Sequence, residues 1–158
     1  MTQRLTGAEV AAWRAYIEGS LRLNTCIDED LKASDRMTLF DYHVLLLLAE
    51  APKGRLRMRD LAARMVFAPS RLTYQAARLE QQALVRREAC DEDGRGSYAI
   101  ITSAGRRALR EASVEHAESI RRRLLNVLDA DDIEDLGRIF GKVRAHLEPS
   151  RAALSPDD

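Results

Sequence analysis

Six polar side chains gather on one side of a short segment: Ser70, Arg71, Thr73, Tyr74, Gln75 and Arg78, within SRLTYQAARLEQQ. Among them Leu72, Ala76, Leu79 and Ala83 recur at three- and four-residue steps, which predicts a helix from Ser70 to about Gln82 with one buried stripe. Thr73 falls on its shoulder. Hydroxyl, amide, phenol and guanidinium groups are the donors and acceptors that read base edges and phosphates in a DNA major groove. Ser70 and Thr73 suit phosphates, and the remaining four suit base edges. A helix that only faces water more often carries Glu and Lys pairs, whereas the acidic residue here is Glu80, near the end. The plainer alternative, an ordinary polar face, stays open, because exposed faces are usually polar.

A second group sits in the loop Asp91 to Gly96, between two β-like runs, Leu84 to Cys90 and Ser97 to Thr102. A tight hairpin needs only a two-residue turn. This one is longer and holds Arg95 between Gly94 and Gly96. Flanking glycines let a backbone approach a surface closely, and an arginine at such a tip suits the narrow, negative minor groove. Asp93 is placed to orient that guanidinium through a bidentate pair.

The elements that must position these groups follow from the flanking pattern. Leu61, Ala62 and Met65 recur at helical spacing from Met58 to Met65, and a break follows at Phe67-Ala68-Pro69 before the second helix. Two short helices with a tight connection, then a hairpin with a basic tip, make a winged helix-turn-helix. The fold class is therefore mainly α, with a two- to three-stranded wing hairpin and long N- and C-terminal helices. We expect a single domain over 1–158, with the DNA-binding lobe at 37–102, dimerisation helices at 6–33 and 103–148, and a loose tail at 149–158.

At these residues the chain resembles the MarR-type (multiple antibiotic resistance) transcriptional regulators. The segments that carry the resemblance are RDLAARM, SRLTYQAARLEQQALVRRE and DEDGRGSYAIITSAGRRAL. The last is similar to the family's wing signature, an Asp-x-Arg, a strand ending in Thr, and a Gly on the next helix: Asp93, Arg95, Thr102 and Gly105. With its flanking helices the resemblance covers roughly residues 8 to 148. Three positions depart from the pattern. Ala68 stands where the family often has a Ser or Thr cap, Ala83 replaces a common glycine, and Tyr74 stands where a basic residue is frequent. The first two imply a small loss of stability, the third an altered base preference.

Formal net charge is zero, which alone would argue against nucleic acid. Its distribution argues the other way. Residues 53 to 110 hold 13 Lys or Arg against 6 Asp or Glu, while the flanking segments are net acidic. The basic charge lies in the proposed reading unit, as expected of a DNA-binding module. The longest apolar run, Val44 to Ala49, is far short of a membrane span, and the first residues lack the apolar core of a signal peptide. Cys26 and Cys90 match no metal-ligand spacing. These features lead us to expect a cytoplasmic protein with no cofactor, no metal and no membrane partner. No nucleophile triad, paired-carboxylate motif or cofactor fingerprint marks an enzyme.

From the start of the chain, Thr6-Gly-Ala-Glu9 has the form of a capping box. Val10, Trp13, Ile17, Leu21, Ile27 and Leu31 then keep helical period to about Lys32. Thr38 is the expected cap of a helix from Leu39 to Glu50 that is apolar nearly all round and reads as the central core helix. After the wing, Thr102 caps a helix from Ser103 to about Leu128, with Leu109, Ala112, His116, Ile120, Leu124 and Val127 in its stripe. A last helix begins near Asp129, where Ile133, Leu136, Phe140, Val143 and Leu147 form a heptad seam. Such a seam at a terminus needs a cover, and we expect the terminal helices of two chains to interlock as a homodimer. The resemblance implies the same, together with a near-palindromic operator, half-sites roughly 10 base pairs or a multiple apart, and a repressor released by a small aromatic or phenolic effector. Trp13, Tyr16, Tyr42 and His43 are the candidate ligand-binding residues. Two alternatives stay open: a thiol-based redox regulator using Cys26, and a winged-helix protein-interaction module without DNA binding.

Overall fold

The structure is a computed structural model in which residues 4–65, 69–90 and 96–147 are described, with side chains from Leu72 onward in the helix that begins at Pro69. Helix α1 (Gly7–Asp35) opens on a full capping box, Thr6 with Glu9. It runs three residues beyond the expected Lys32 and closes on Arg36, whose φ of 53° lies in the left-handed region. Helix α2 (Leu39–Glu50) opens on a second box, Thr38 with Asp41. After a 3-10 turn at Pro52–Gly54 come β1 (Arg55–Arg57), α3 (Met58–Met65), α4 (Pro69–Gln81), β2 (Val85–Ala89) and β3 (Ser97–Ile101). Helix α5 (Ser103–Arg123), a 3-10 turn at Leu125–Val127 and α6 (Ala130–Leu147) complete the order.

The three strands form one antiparallel sheet in the order β1-β3-β2. The hairpin strands lie where the sequence puts them. Strand β1 does not announce itself: Arg-Leu-Arg offers one apolar residue, and only the long-range register Leu56↔Ala99 makes it a strand. Helix α5 ends at Arg123 rather than near Leu128, because Leu124 leaves helical geometry at φ −126°. The chain forms two compact units, up to Ile120 and from Arg121 onward. In the first, α2 is the centre, with Val44, Leu45 and Leu48 fully buried among Leu31, Leu61, Leu72, Leu79 and Val85. Only Ile27 and Leu31 of the expected α1 stripe are buried; Trp13 and Leu21 are more than half exposed. In the second unit α6 has no buried residue, and Ile133, Phe140, Val143 and Leu147 of the heptad seam are exposed. Asp129 caps it reciprocally with Asp132. Among the described residues no helix is long and apolar enough to cross a membrane.

One corner fixes α4 against the wing and α5. The end of α4 is a Schellman motif: the Leu84 N–H donates to the Leu79 carbonyl and the Ala83 N–H to that of Glu80. The motif places Ala83 at φ +58°, a left-handed backbone that glycine adopts at less cost. Ala83 is therefore an exposed helix end, not part of the buried stripe expected for α4. The Thr102 hydroxyl donates to the Ala83 carbonyl at 2.7 Å and accepts the Gly105 N–H at 3.0 Å. Gly105 crosses this corner so closely that a Cβ would strike the Leu84 carbonyl oxygen.

Candidate nucleic-acid interface

Helices α3 and α4 form the helix-turn-helix, and the apolar half of α4 is completely withdrawn: Leu72, Ala76 and Leu79 have no exposure. The opposite half faces outward. Thr73 is exposed, Tyr74 is 72% exposed and Gln75 half-buried. A phenol left so far out of the core contributes little to packing, and its ring and hydroxyl are presented to whatever meets α4. Ser70 and Arg71 lie on the first turn of the same helix, but their side chains are outside the described atoms. Asp93 and Arg95 lie outside the described residues. The ends of their loop are joined: the Cys90 N–H donates to the Gly96 carbonyl at 2.9 Å.

Arg78 takes a different place from the one its spacing suggests. Two-thirds of its side chain is covered, and it forms an ion pair with Asp41 at the start of α2. Asp41 is 2% exposed and also accepts the Thr38 N–H at 2.9 Å and the Thr38 hydroxyl at 2.5 Å. Nothing local in the sequence announces that Asp41 has a partner 37 residues away. Arg78 Nε donates to Gln75 Oε1 at 3.3 Å, so the pair reaches the outer face.

Other charges brace the frame. Arg87 on β2 donates to Glu80 on α4 through both its backbone N–H and Nε, at 3.2 and 2.7 Å. The Arg87 hydrogen bond holds the Glu80 carboxyl below its ordinary value. On the sheet, Arg55 and Arg57 lie 4.6 and 5.8 Å from the centre of the Tyr98 ring, close enough for cation–π attraction.

The four candidate ligand residues do not come together. Trp13 and Tyr16 stack on each other along α1, with ring centroids 5.6 Å apart, and both are exposed. Tyr42 is a core residue, 6% exposed, with its hydroxyl 3.3 Å from that of Ser113. Only His43 lines the cleft of about 660 Å³ between α1, α2 and α3, alongside Leu21, Asn24, Asp28, Phe40 and Arg64. Helical spacing indicates which residues share a face; it does not distinguish the core side of α2 from the cleft side, and this separates Tyr42 from His43. Asp28, which the sequence reading did not select, is well placed. Burial works against its ionisation, but the hydrogen bonds from Lys32 (2.5 Å) and the Leu39 N–H (2.8 Å) hold its carboxyl below the ordinary range. His116 lies against Tyr42 at 4.2 Å with Nδ1 buried and unpartnered. Cys26 is half-buried and Cys90 buried, both as free thiols. Among the described residues no three His, Cys, Asp or Glu cluster to hold a metal.

A model of the MarR family matches residues 36–96, the stretch from the start of α2 to the wing. The solved structure of Sco3205, a MarR family transcriptional regulator from Streptomyces coelicolor in complex with DNA, is 37% identical over 95% of this chain and 94% of its own, with a TM-score of 0.87. The chain belongs to the MarR family. AbsC, another MarR family transcriptional regulator from the same organism, is 35% identical over 92% of this chain and 98% of its own, with a TM-score of 0.82. A mutant of MarR from E. coli, solved with operator DNA, shares the fold at 20% identity and a TM-score of 0.75 over 89% of this chain and 99% of its own. No curated protein matches the chain. The family resemblance on the wing and α4 is thus established, and the winged fold with its three-stranded sheet is that of MarR regulators. MarR family members are transcriptional regulators rather than enzymes.

Proposed function

We propose that this MarR-family chain is a sequence-specific DNA-binding repressor that acts as a two-fold dimer on a near-palindromic operator. The observation that carries the reading is the division of α4 into a fully buried apolar half and an outward half of hydroxyl, phenol and amide groups around Tyr74. The concentration of basic residues between 53 and 110 adds the charge that phosphates require. Sco3205, its 37% identical relative, is solved in complex with DNA. Arg95, with Asp93 orienting it, is assigned to the minor groove, and Ser70, Arg71, Thr73, Tyr74 and Gln75 to the major groove. The lobe is assigned to 37–102 and the dimer contacts to 6–33 and 103–148, within one functional domain. Support for the dimer comes from apolar side chains left uncovered on α1 and on the α6 seam.

Release by a small aromatic or phenolic molecule is assigned to the cleft beside His43 rather than to Trp13, Tyr16 or Tyr42. Its mixed lining of apolar side chains with Asn24, Asp28, His43 and Arg64 supports that assignment. Footprinting of the purified protein on the DNA flanking its own gene tests the whole reading. Protection of an inverted repeat by a dimer, lifted by a member of a phenolic-acid panel, supports it. A single chain in solution that protects nothing refutes it, and protection that no panel member lifts leaves the operator and removes the effector.

A further inference from the structure

Arg78 and Gln75 lie one turn apart on α4, and both carry groups suited to reading bases. The structure separates their roles. Arg78 ion-pairs with Asp41, a carboxylate that is 2% exposed and already bound to the Thr38 N–H and hydroxyl. A charge that deeply buried is strongly destabilised without its partner, so Arg78 is held inward. Its Nε meets Gln75 Oε1 at 3.3 Å. A guanidinium only donates, so it is the amide oxygen, not the NH2, that faces Arg78. The NH2 is left for the outside, while the oxygen is turned toward Arg78 with one of its two lone pairs occupied.

We propose that Arg78 is a positioning residue which, anchored on Asp41, turns the Gln75 amide oxygen inward and presents its NH2 to DNA, thereby biasing the base it accepts. A free glutamine pairs with adenine through both ends of its amide, accepting from N6 and donating to N7. With the oxygen engaged, Gln75 favours a base that offers only acceptors at its major-groove edge: the N7 and O6 of guanine, or the O4 of thymine. Tyr74 beside it is unaffected by this restriction. The inference rests on the reading of the chain as a DNA binder and adds a rule for one position of the operator.

The test is selection of bound duplex from a randomised pool, followed by salt titration of the selected duplex. It uses the full-length protein, Gln75→Ala, Arg78→Ala, Arg78→Lys and Asp41→Asn. Gln75→Ala identifies the base position that Gln75 reads, as the one whose preference it flattens. Expected there is guanine or thymine for the native protein, and a shift toward adenine of about five-fold or more for Arg78→Ala and Asp41→Asn. Combining those two should shift it no further. Arg78→Lys keeps a cation beside the buried carboxylate and so protects the fold, but it lacks the guanidinium Nε, and it should shift the same position. None of the Arg78 variants should flatten the salt dependence. A slope lower by about 0.9 in Arg78→Ala would place Arg78 on a phosphate and overturn the proposal. So would adenine at the Gln75 position in the native protein, or an unchanged preference there in Arg78→Lys. Failure of the native protein to enrich any duplex would instead overturn the DNA-binding reading itself.

Discussion

The corner where α4, the wing and α5 meet makes a prediction of opposite sign at two neighbouring positions. Ala83 holds a left-handed backbone, φ +58°, inside the Schellman motif. An L-residue in that region lies about 1–2 kcal/mol above its right-handed alternative. Ala83→Gly removes that strain, and the looser unfolded chain offsets about 0.4–1 kcal/mol of the gain. A net stabilisation of about 0.5–1 kcal/mol remains, which for a chain of this size raises Tm by about 1–4 °C. Gly105→Ala goes the other way. Its added methyl meets the Leu84 carbonyl oxygen and presses within 2.9 Å of Ile101 Cγ1. That oxygen also accepts the Thr102 N–H at 3.1 Å, so it is not free to move aside. Overpacking against a held backbone costs about 1–3 kcal/mol. Urea titration at one fixed protein concentration reads both, as a midpoint shift at unchanged m-value. A glycine at 83 that fails to stabilise, or an alanine at 105 that is neutral, would mean the corner is not built as described.

Three further outcomes are expected. Burial first, and then the charge of His43, hold the His116 imidazole below its ordinary value of 6.5. As pH falls the unfolded chain takes up that proton first, so stability is full above about 6.5 and is lost as pH drops through it toward the lower folded value. Melts at about pH 7.5 and 5.5 should therefore converge in His116→Phe, and an undiminished difference would show that another group carries the dependence. Tyr74→Ala should leave the melting curve unchanged, because the ring is 72% exposed, while weakening operator binding by about 1–3 kcal/mol; equal binding by both proteins would remove Tyr74 from the interface. Arg95→Ala should weaken binding to many duplexes alike and Arg71→Ala should relax base preference, each by about 1–3 kcal/mol. Identical loss on every duplex for both variants would contradict those separate roles.

The helices, their caps and the wing hairpin were legible because they rest on local signals: the Thr6/Glu9 box, the Thr38 and Thr102 caps, and the periodicity of Leu72, Ala76 and Leu79. What escaped was long-range. Strand β1 exists only through its pairing with β3, and the break after Arg123 depends on a backbone angle at Leu124 that no residue type signals. At the site, the outward side of α4 was readable residue by residue for Thr73 and Tyr74. Arg78 shares their helical face by spacing yet is drawn inward, because Asp41 lies within its reach across α2. The candidate ligand residues lie apart for a related reason. Tyr42 and His43 are adjacent in sequence, and neighbouring residues on a helix point about 100° apart, one to the core and one to the cleft.

As proposed, two copies of α4 and of the wing grip duplex DNA through phosphates as well as bases. Affinity for the duplex the protein selects, followed over a range of salt concentration, tests it most directly. A straight fall of log K against log salt with a slope of several units is expected, and a much weaker grip on a duplex with one half-site scrambled. Binding indifferent to salt, or equal for the intact and half-scrambled duplexes, would contradict it.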